Sequence, residues 1–574
     1  MNTISGQIEQ EIKDFENASL ACNPSYAPTS KNIIELIDLY WVSKFKDGDT
    51  DSTGFKKAFY NIVENPTQVA AKMTDIDTKD IKIIAEEGQS YYPAWLLGKE
   101  LKVWMKDNKN KDNETFGQFL NSCVYNYPKY GHLLVKKAKN SVYLVPLQNL
   151  IYEADAENFM KSGFLIEVHE FTPEDLRKTG WDNIEEVIEK YEKKGKIIVF
   201  ERQGTVDISK DYNYFIIPKG GERKDILFYD KKDREDLYRE VKWDKVSGRA
   251  LGRGQVEKLF ENQIAKNQNE NLLRAGLRWS SKHLFQTRDE TIASNLMTDV
   301  ENGDLMIVNS EITPIAMEER NLAAYRDADA KWDKNTADRG FTHEPMSGQR
   351  PPSGTPLGTS ILQTRMAGMF YELKQEDLGM FLKNIIFDWL LPDFKKTKTG
   401  EHKIMLGEFD EGELDKLRGL VLGNKLKNSL IDFVNRNKHI PTPSERQILK
   451  GILLKQIKGQ KDINIPKGYY DNLKYKIDVV ITGEQIDIAS RMATLQTLFQ
   501  IIGSNPSVLQ DKRTRRILYK LVDLAGFNPM DLGFEEGGEE LEEIMPQIAE
   551  RGGSIARTPT PMPTPAETPV ATTL

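Results

Sequence analysis

The chain has 574 residues and a formal net charge of −8, with 29% charged and 39% hydrophobic residues. That length suits about three or four domains with sizeable cores, and the acidic balance argues against bulk affinity for nucleic acid. Cys22 and Cys123 make no metal or redox motif, the opening residues lack a signal peptide's basic and apolar regions, and no apolar run approaches the ~20 residues of a membrane span. The expectation is a soluble protein made in a reducing cytoplasm.

Residues 1–30 are polar and Pro-punctuated and read as an N-terminal arm. Ile33, Ile34, Leu36, Ile37, Tyr40, Trp41 and Phe45 carry the period of an amphipathic helix, with Ser30 as its N-cap. A helical stretch after Asn61 gives way to a strand at Asp80–Ile84, and Trp95–Tyr127 reads as helix ending near Pro128. Between Gly131 and Tyr229 the texture changes to short β-prone runs at 133–135, 142–145, 164–168, 196–200 and 214–217. A charged helix at Glu174–Lys194 interrupts them, so 31–250 reads as an α+β domain with a mainly antiparallel sheet.

From Arg253 the chain is helical but polar nearly all round, with Gln263, Asn267 and Asn271 aligned at i, i+4, i+8. A helix polar on every face needs polar neighbours. A short segment, 279–315, follows, with a strand expected at Asp304–Asn309, and then a second charged helix over 316–341. Residues 342–358 hold Pro345, Pro351, Pro352 and Pro356 with Gly348, Gly354 and Gly358, so neither helix nor strand can run through them. The helix Thr359–Leu391 comes next, about 50 Å long at 1.5 Å per residue and expected to stop at Pro392. Residues 393–474 alternate helices and loops, 475–530 are a strand and two amphipathic helices, and 531–574 are an acidic run and a Thr-Pro tail with a disordered composition.

Chemistry-bearing motifs are sparse. The six histidines are scattered, without an i,i+4 pair or a Cys partner, so no metal site is expected. Asp75, Asp77 and Asp80 fall in a polar turn. Gly348 to Gly354 fails the Walker spacing, and Thr355 stands where Lys is required. Gly252-Arg253-Gly254 offers an anion site at a helix start or, more ordinarily, a turn and cap. No nucleophile pairs with a base, which leaves catalytic residues, metal and cofactors unassigned.

The order of these pieces resembles the portal proteins of tailed double-stranded DNA bacteriophages, most closely those of the crAss-like group. The matching parts are Leu-Gly-Arg-Gly-Gln-Val-Glu-Lys-Leu-Phe-Glu-Asn-Gln at 251–263, the insert 279–315, the loop 342–358, and Gly-Thr-Ser-Ile-Leu-Gln-Thr-Arg-Met-Ala-Gly-Met-Phe at 358–370. The resemblance covers about residues 31–530. It implies a mainly helical α+β portal-type fold of wing, stem, clip and crown, assembled as a ring, usually of twelve subunits. The wing would be 31–250, the stem helices 251–278 and 316–341, the clip 279–315, the tunnel loop 342–358, the long wing helix 359–392, the connection 393–474 and the crown 475–530.

The resemblance further implies a non-enzymatic channel at one capsid vertex of the virion, through which double-stranded DNA is packaged and ejected. Implied partners are other copies of the chain, the DNA, the large terminase, the head–tail connector proteins and the major capsid protein, with no membrane. Gln349, Arg350, His343 and Ser347 would face DNA from the tunnel loop, with Lys331, Lys334 and Arg339 as stem candidates. Trp279, His283, Phe285 and Arg288 would form the clip's docking surface. The second stem helix holds five basic residues (Arg320, Arg326, Lys331, Lys334, Arg339) against six acidic ones (Glu318, Glu319, Asp327, Asp329, Asp333, Asp338), a balance suited to a weakly interacting wall. The rival reading is a nucleic-acid-processing enzyme with 342–358 as an active-site lid.

Overall fold

The computed structural model describes residues 4–18, 31–51, 54–76, 81–85, 91–204, 213–280, 284–288, 310–315, 322–341 and 357–398. Between 400 and 479 it describes shorter stretches that include 402–405, 442–458, 462–465 and 475–479. The described residues fall into two compact units, one drawn from 1–82, 101–394 and 479, the other from 83–100 and 395–478. Helix outweighs strand throughout, in a mixed α+β architecture.

In the first unit, the stretch read as an arm contains helix α1 (Ile4–Asn17), followed by α2 (Asn32–Trp41) and α3 (Glu64–Met73). Strand β1 (Ile81–Ala85) and helix α4 (Tyr91–Asp107), most of whose residues belong to the second unit, come next along the chain, followed by α5 (Phe116–Tyr130) in the first. A capping box between Thr115 and Gln118 starts α5. The helix then runs through Pro128, two residues further than the proline suggested, and stops where Gly131 takes a left-handed conformation.

The β-prone region forms two antiparallel sheets. Strands β2 (His132–Ala138) and β3 (Ser141–Leu144) share one with a later strand. Strands β4 (Leu150–Tyr152) and β5 (Phe164–Phe171) begin the other. After the short helices α6 (Pro173–Lys178) and α7 (Ile184–Tyr191), β6 (Ile197–Gly204), β7 (Tyr214–Pro218) and β8 (Phe228–Asp230) complete a five-stranded meander in the order β4-β5-β6-β7-β8. Helix α8 (Arg234–Leu237) leads into β9 (Tyr238–Lys242), which pairs with β2. The single charged helix expected over 174–194 is two, divided where Gly180 has φ +69°.

Strand alternation sorts the large sheet's residues. Ile166, Phe200, Phe215 and Ile217 face α1, which buries Ile4 and Ile8 against them. Ile197, Val199 and Ile216 face the opposite way, onto Leu176 of α6 and Val187 and Ile188 of α7. One ion pair is buried on the α1 side: Arg202 reaches Glu11 with two hydrogen bonds, at 2.9 and 2.6 Å.

Helix α9 (Gln255–Lys258) then opens α10 (Phe260–Ser280), and a two-stranded ribbon of β10 (Leu284–Gln286) and β11 (Thr313–Ile315) separates α10 from α11 (Leu322–Gly340). Helix α12 (Leu357–Ile385) does not stop at Pro392. A π-turn at Ile386–Leu390 continues it into α13 (Leu391–Thr397). The wider turn relieves the clash between a proline ring and the preceding helical turn, and no hydrogen bond is needed from a residue without an N–H. Ile385, Ile386, Trp389, Leu390 and Phe394 are buried along this stretch.

The second unit pairs His402–Met405 antiparallel with Asp462–Ile465. Its buried Glu100 accepts a 2.5 Å hydrogen bond from Tyr470 and lies 3.1 Å from the Lys398 ammonium. The described residues contain no helix long and apolar enough to cross a membrane.

Candidate functional site

The segment from α9 to the start of α12 carries the polar helices and the loop that the sequence singled out. Its base is a crossing of three glycines. Gly254 caps α9, and a Cβ there would lie 2.6–2.7 Å from Gly131 N, Pro128 O and Lys129 O. Gly252 donates its N–H to His132 Nδ1 at 3.1 Å, and His132 Nε2 lies 2.9 Å from Glu240. Arg249, buried beside them, makes two hydrogen bonds to Glu257, at 2.7 and 2.6 Å. The Gly-Arg-Gly motif therefore lets two backbones approach closely, which is the turn-and-cap use.

Above the crossing, α10 satisfies its polar faces within the chain. Gln263, Asn267 and Asn271 grip the segment 58–62. Ile62 N–H donates to Gln263 Oε1 at 2.9 Å, Tyr60 N–H to Asn267 Oδ1 at 2.8 Å, and Ala58 N–H to Asn271 Oδ1 at 2.9 Å. Gln263 Nε2 and Asn271 Nδ2 return bonds to the carbonyls of Tyr60 and Ala58. Four helical residues rise ~6 Å and two extended residues ~6.6 Å, so amides at i, i+4, i+8 match every second residue of an antiparallel strand. The alignment visible in the sequence thus finds its partner in its own chain. Neighbouring subunits, which the resemblance implied would cover it, are not needed for this face. Asn267→Ala should leave the Tyr60 N–H unpaired and cost about 1–3 kcal/mol, read as a shift in the urea midpoint. A neutral result would mean that water replaces the amide.

A second face of α10 meets α11. The buried Lys266 ammonium sits 2.7 Å from both Asp329 and Asp333. Burial disfavours that charge, but the two aspartates outweigh it and raise the Lys266 pKa. Asn262 donates to Thr336 Oγ1 at 3.2 Å, and Asn269 to the Tyr325 carbonyl at 2.8 Å. Charged and amide pairs thus replace an apolar seam.

The stem candidates separate accordingly. Arg339 is tied within the chain, donating to Asn262 and lying 3.5 Å from Glu261. Lys331 and Lys334 are exposed and make no ion pair among the described residues. The same holds for Arg326, Asp327 and Asp338, so the outer face of α11 keeps three free cations against two free anions.

The chain that enters the loop is firmly held. Phe341, with φ +53°, stacks on Phe370 of α12 at 4.0 Å, and Tyr371 donates to the Gly340 carbonyl at 2.9 Å. Lys258 lies over both rings, at 4.8 and 5.5 Å. Residues 342–356, with His343, Ser347, Gln349 and Arg350, lie outside the described residues, and 357–358 begin α12. His283 and the strand expected at 304–309 also lie outside them. Trp279 falls in the last turn of α10 and Phe285 in β10, their side chains outside the described residues, while Arg288 is exposed just beyond the ribbon.

Sequence reasoning missed one polar cluster. Glu167 of β5 and Glu201 of β6 are direct cross-strand partners. Lys136 of β2 reaches both at 2.5 Å, Tyr238 donates to Glu167 at 2.6 Å, Tyr214 donates to Glu201, and His169 Nε2 stands 2.9 Å from Glu201. Burial opposes the Glu201 charge, but Lys136 and His169 hold its carboxyl well below the usual range. These groups come from five strands, and only Glu167-x-His169, two residues on one face of β5, is visible in the sequence.

No protein-family model matches the sequence, and no curated protein matches it. Two solved chains are similar over much of the length. One, from a structure of the virion of a native gene transfer agent particle, is 9% identical, covers 75% of this chain and 96% of its own, and has a TM-score of 0.36. The other, from the neck of an empty gene transfer agent particle computed with C6 symmetry, is 10% identical, with coverages of 65% and 84% and a TM-score of 0.35. A superposition at that score fixes neither a common fold nor a common role.

Proposed function

We propose that this chain is a portal subunit of a tailed double-stranded DNA bacteriophage. In this reading, copies assemble as a ring at one capsid vertex, conduct the genome during packaging and ejection, and dock the large terminase and then the connector proteins. The observation that carries the reading is the order of elements: a polar helix, a small β-ribbon insert, a second polar helix, a loop, and a helix that runs on through its own π-turn. The outer face of α11 supports it. A helix face with free Arg326, Lys331 and Lys334 beside free Asp327 and Asp338 is too polar to bury against an apolar partner, but it can pair across subunits or line a bore through which DNA must slide. Repeated around a ring, a few unpaired cations per subunit supply many weak phosphate contacts, and the interspersed acids limit their hold.

The ribbon between the stem helices is the terminase and connector contact in this reading, with Arg288 exposed beside it. The Pro- and Gly-rich segment 342–358, entered from Phe341, is the part nearest DNA in this reading. The protein performs no catalysis, and its place is the virion.

Particle mass and shape test this directly. Native mass measurement of purified protein should give a species near twelve protomers, and low-dose micrographs should show round top views with a central opening. A stable monomer or dimer across protein concentrations and salts would overturn the assignment. Robust DNA or nucleotide hydrolysis that disappeared on mutating His343 would favour the enzyme reading.

A further inference from the structure

The cross-strand pair Glu167 and Glu201 has an electrostatic imbalance. Like charges directly opposite each other destabilise an antiparallel pair, and here both carboxylates are buried. Lys136 supplies one positive charge and contacts the Oε1 atom of each. Lys111, the other nearby cation, lies over the Tyr143 ring at 3.4 Å instead of on a carboxylate. Lys136 is thus the lysine in direct contact with both carboxylates among the described residues. The Oε1 atoms are also the ones the tyrosines bind, since Tyr238 donates to Glu167 Oε1 and Tyr214 to Glu201 Oε1. Both Oε2 atoms turn the other way, toward His169.

We propose that Glu167 Oε2, Glu201 Oε2 and His169 Nε2 bind a divalent transition-metal ion such as Zn²⁺. His169 Nε2 lies 2.9 Å from Glu201 Oε2 and 3.7 Å from Glu167 Oε2, and each of the three residues offers a ligand atom within 4.8 Å of the other two. Ligands ~2.1 Å from a shared tetrahedral ion sit ~3.4 Å apart, so the two short separations bracket that spacing. Glu167 is 2% exposed, and its Oε2 accepts no hydrogen bond among the described residues. That oxygen faces His169 Nε2 at 3.7 Å, beyond hydrogen-bond length. Lys136 and the tyrosines hold the outer oxygens and fix the inner ones, which is how outer-shell groups orient metal ligands. His169, part-exposed, leaves a path for the ion and an open coordination position. The imidazole and two carboxylates suit a first-row ion better than Ca²⁺ or Mg²⁺. The ion takes the place of the hydrogen bond between His169 Nε2 and Glu201 Oε2, the neutral imidazole carrying its one proton on Nδ1.

The test is Zn²⁺ titration of the metal-stripped full-length protein by calorimetry, with Co²⁺ as a spectroscopic probe. One Zn²⁺ should bind per chain, and Co²⁺ should give visible bands of a low-coordinate site. H169A should abolish both, and E201Q should weaken binding severely. Because His169 is part-exposed, H169A should keep the parent's far-UV spectrum, so its result decides the matter even where E201Q does not fold. Tyr214→Phe should weaken binding by about tenfold or more, as loss of an orienting group does. Absence of stoichiometric uptake by the parent protein would overturn the proposal, because His169 would then merely hydrogen-bond Glu201. Uptake that H169A leaves unchanged would equally overturn it and mark the ion as adventitious.

Discussion

Lys136→Met is expected to destabilise the chain by about 3–5 kcal/mol, because it leaves two buried carboxylates without their shared cation. Glu167 and Glu201 sit directly opposite on β5 and β6, and the Lys136 ammonium is 2.5 Å from each. Methionine fills a similar volume, so the loss measures charge rather than a cavity. Urea unfolding of the variant against the parent reads the effect, and a change under about 1 kcal/mol would mean that a carboxylate simply takes up a proton or that water enters. Adding E201Q to K136M should recover part of the loss, since it removes one of the stranded charges.

The same cluster sets an acid limit. The Glu201 carboxyl is held below its unfolded value, so its stabilising contribution is complete above the ordinary glutamate range of about 4.3. That contribution is lost as pH falls through the folded-state value. Lys136 is shifted the other way: burial lowers its pKa, but the two glutamates outweigh burial and raise it. Its contribution is therefore complete below the ordinary lysine range and lost as pH rises through the folded value. The parent should show a broad stability plateau between these limits. K136M should begin to lose stability at a higher pH on the acid side.

The second large effect is expected at the glycine crossing. Gly131 has φ +74°, and a Cβ there would lie 2.1 Å from Gly254 N. Alanine therefore incurs about 1–2 kcal/mol of left-handed strain and a further 1–3 kcal/mol or so of overpacking against backbone that cannot swing aside. Gly254→Ala meets three backbone atoms at 2.6–2.7 Å without the dihedral strain, and should cost less. Thermal melts should rank the parent above G254A and G254A above G131A. Equal stability of all three would mean that α5 and α9 separate easily. Because α9 leads directly into α10, any shift at the crossing is carried into the polar helix pair.

Much of this architecture is legible along the chain because it depends on local pattern. The β runs of 131–229, the polar helices and the long helix before Pro392 all follow from periodicity and turn residues, which act within a few positions. The amide row at Gln263, Asn267 and Asn271 could be seen as unusual for the same reason. Its partner could not, because residues 58–62 are some two hundred positions away and carry no signal that they run beside a helix. The helix boundary at Pro392 was misplaced because the π-turn that absorbs the proline depends on the packing of Ile386, Trp389 and Leu390. The arm at 1–30 read as polar because the apolar face of α1, Ile4, Ile8 and Phe15, is short and widely spaced.

Histidine spacing gives no sign of the cluster of Glu167, His169 and Glu201, because its members sit on two strands. Residues brought together by the register of β5 with β6, and by β2 lying beside them, belong to no single segment. Composition and period thus mark the β runs and the polar helix faces, but neither α1 nor the helix that runs on through Pro392. Which polar group answers which is a three-dimensional matter, because hydrogen bonds and ion pairs act over a few ångströms of space irrespective of separation along the chain.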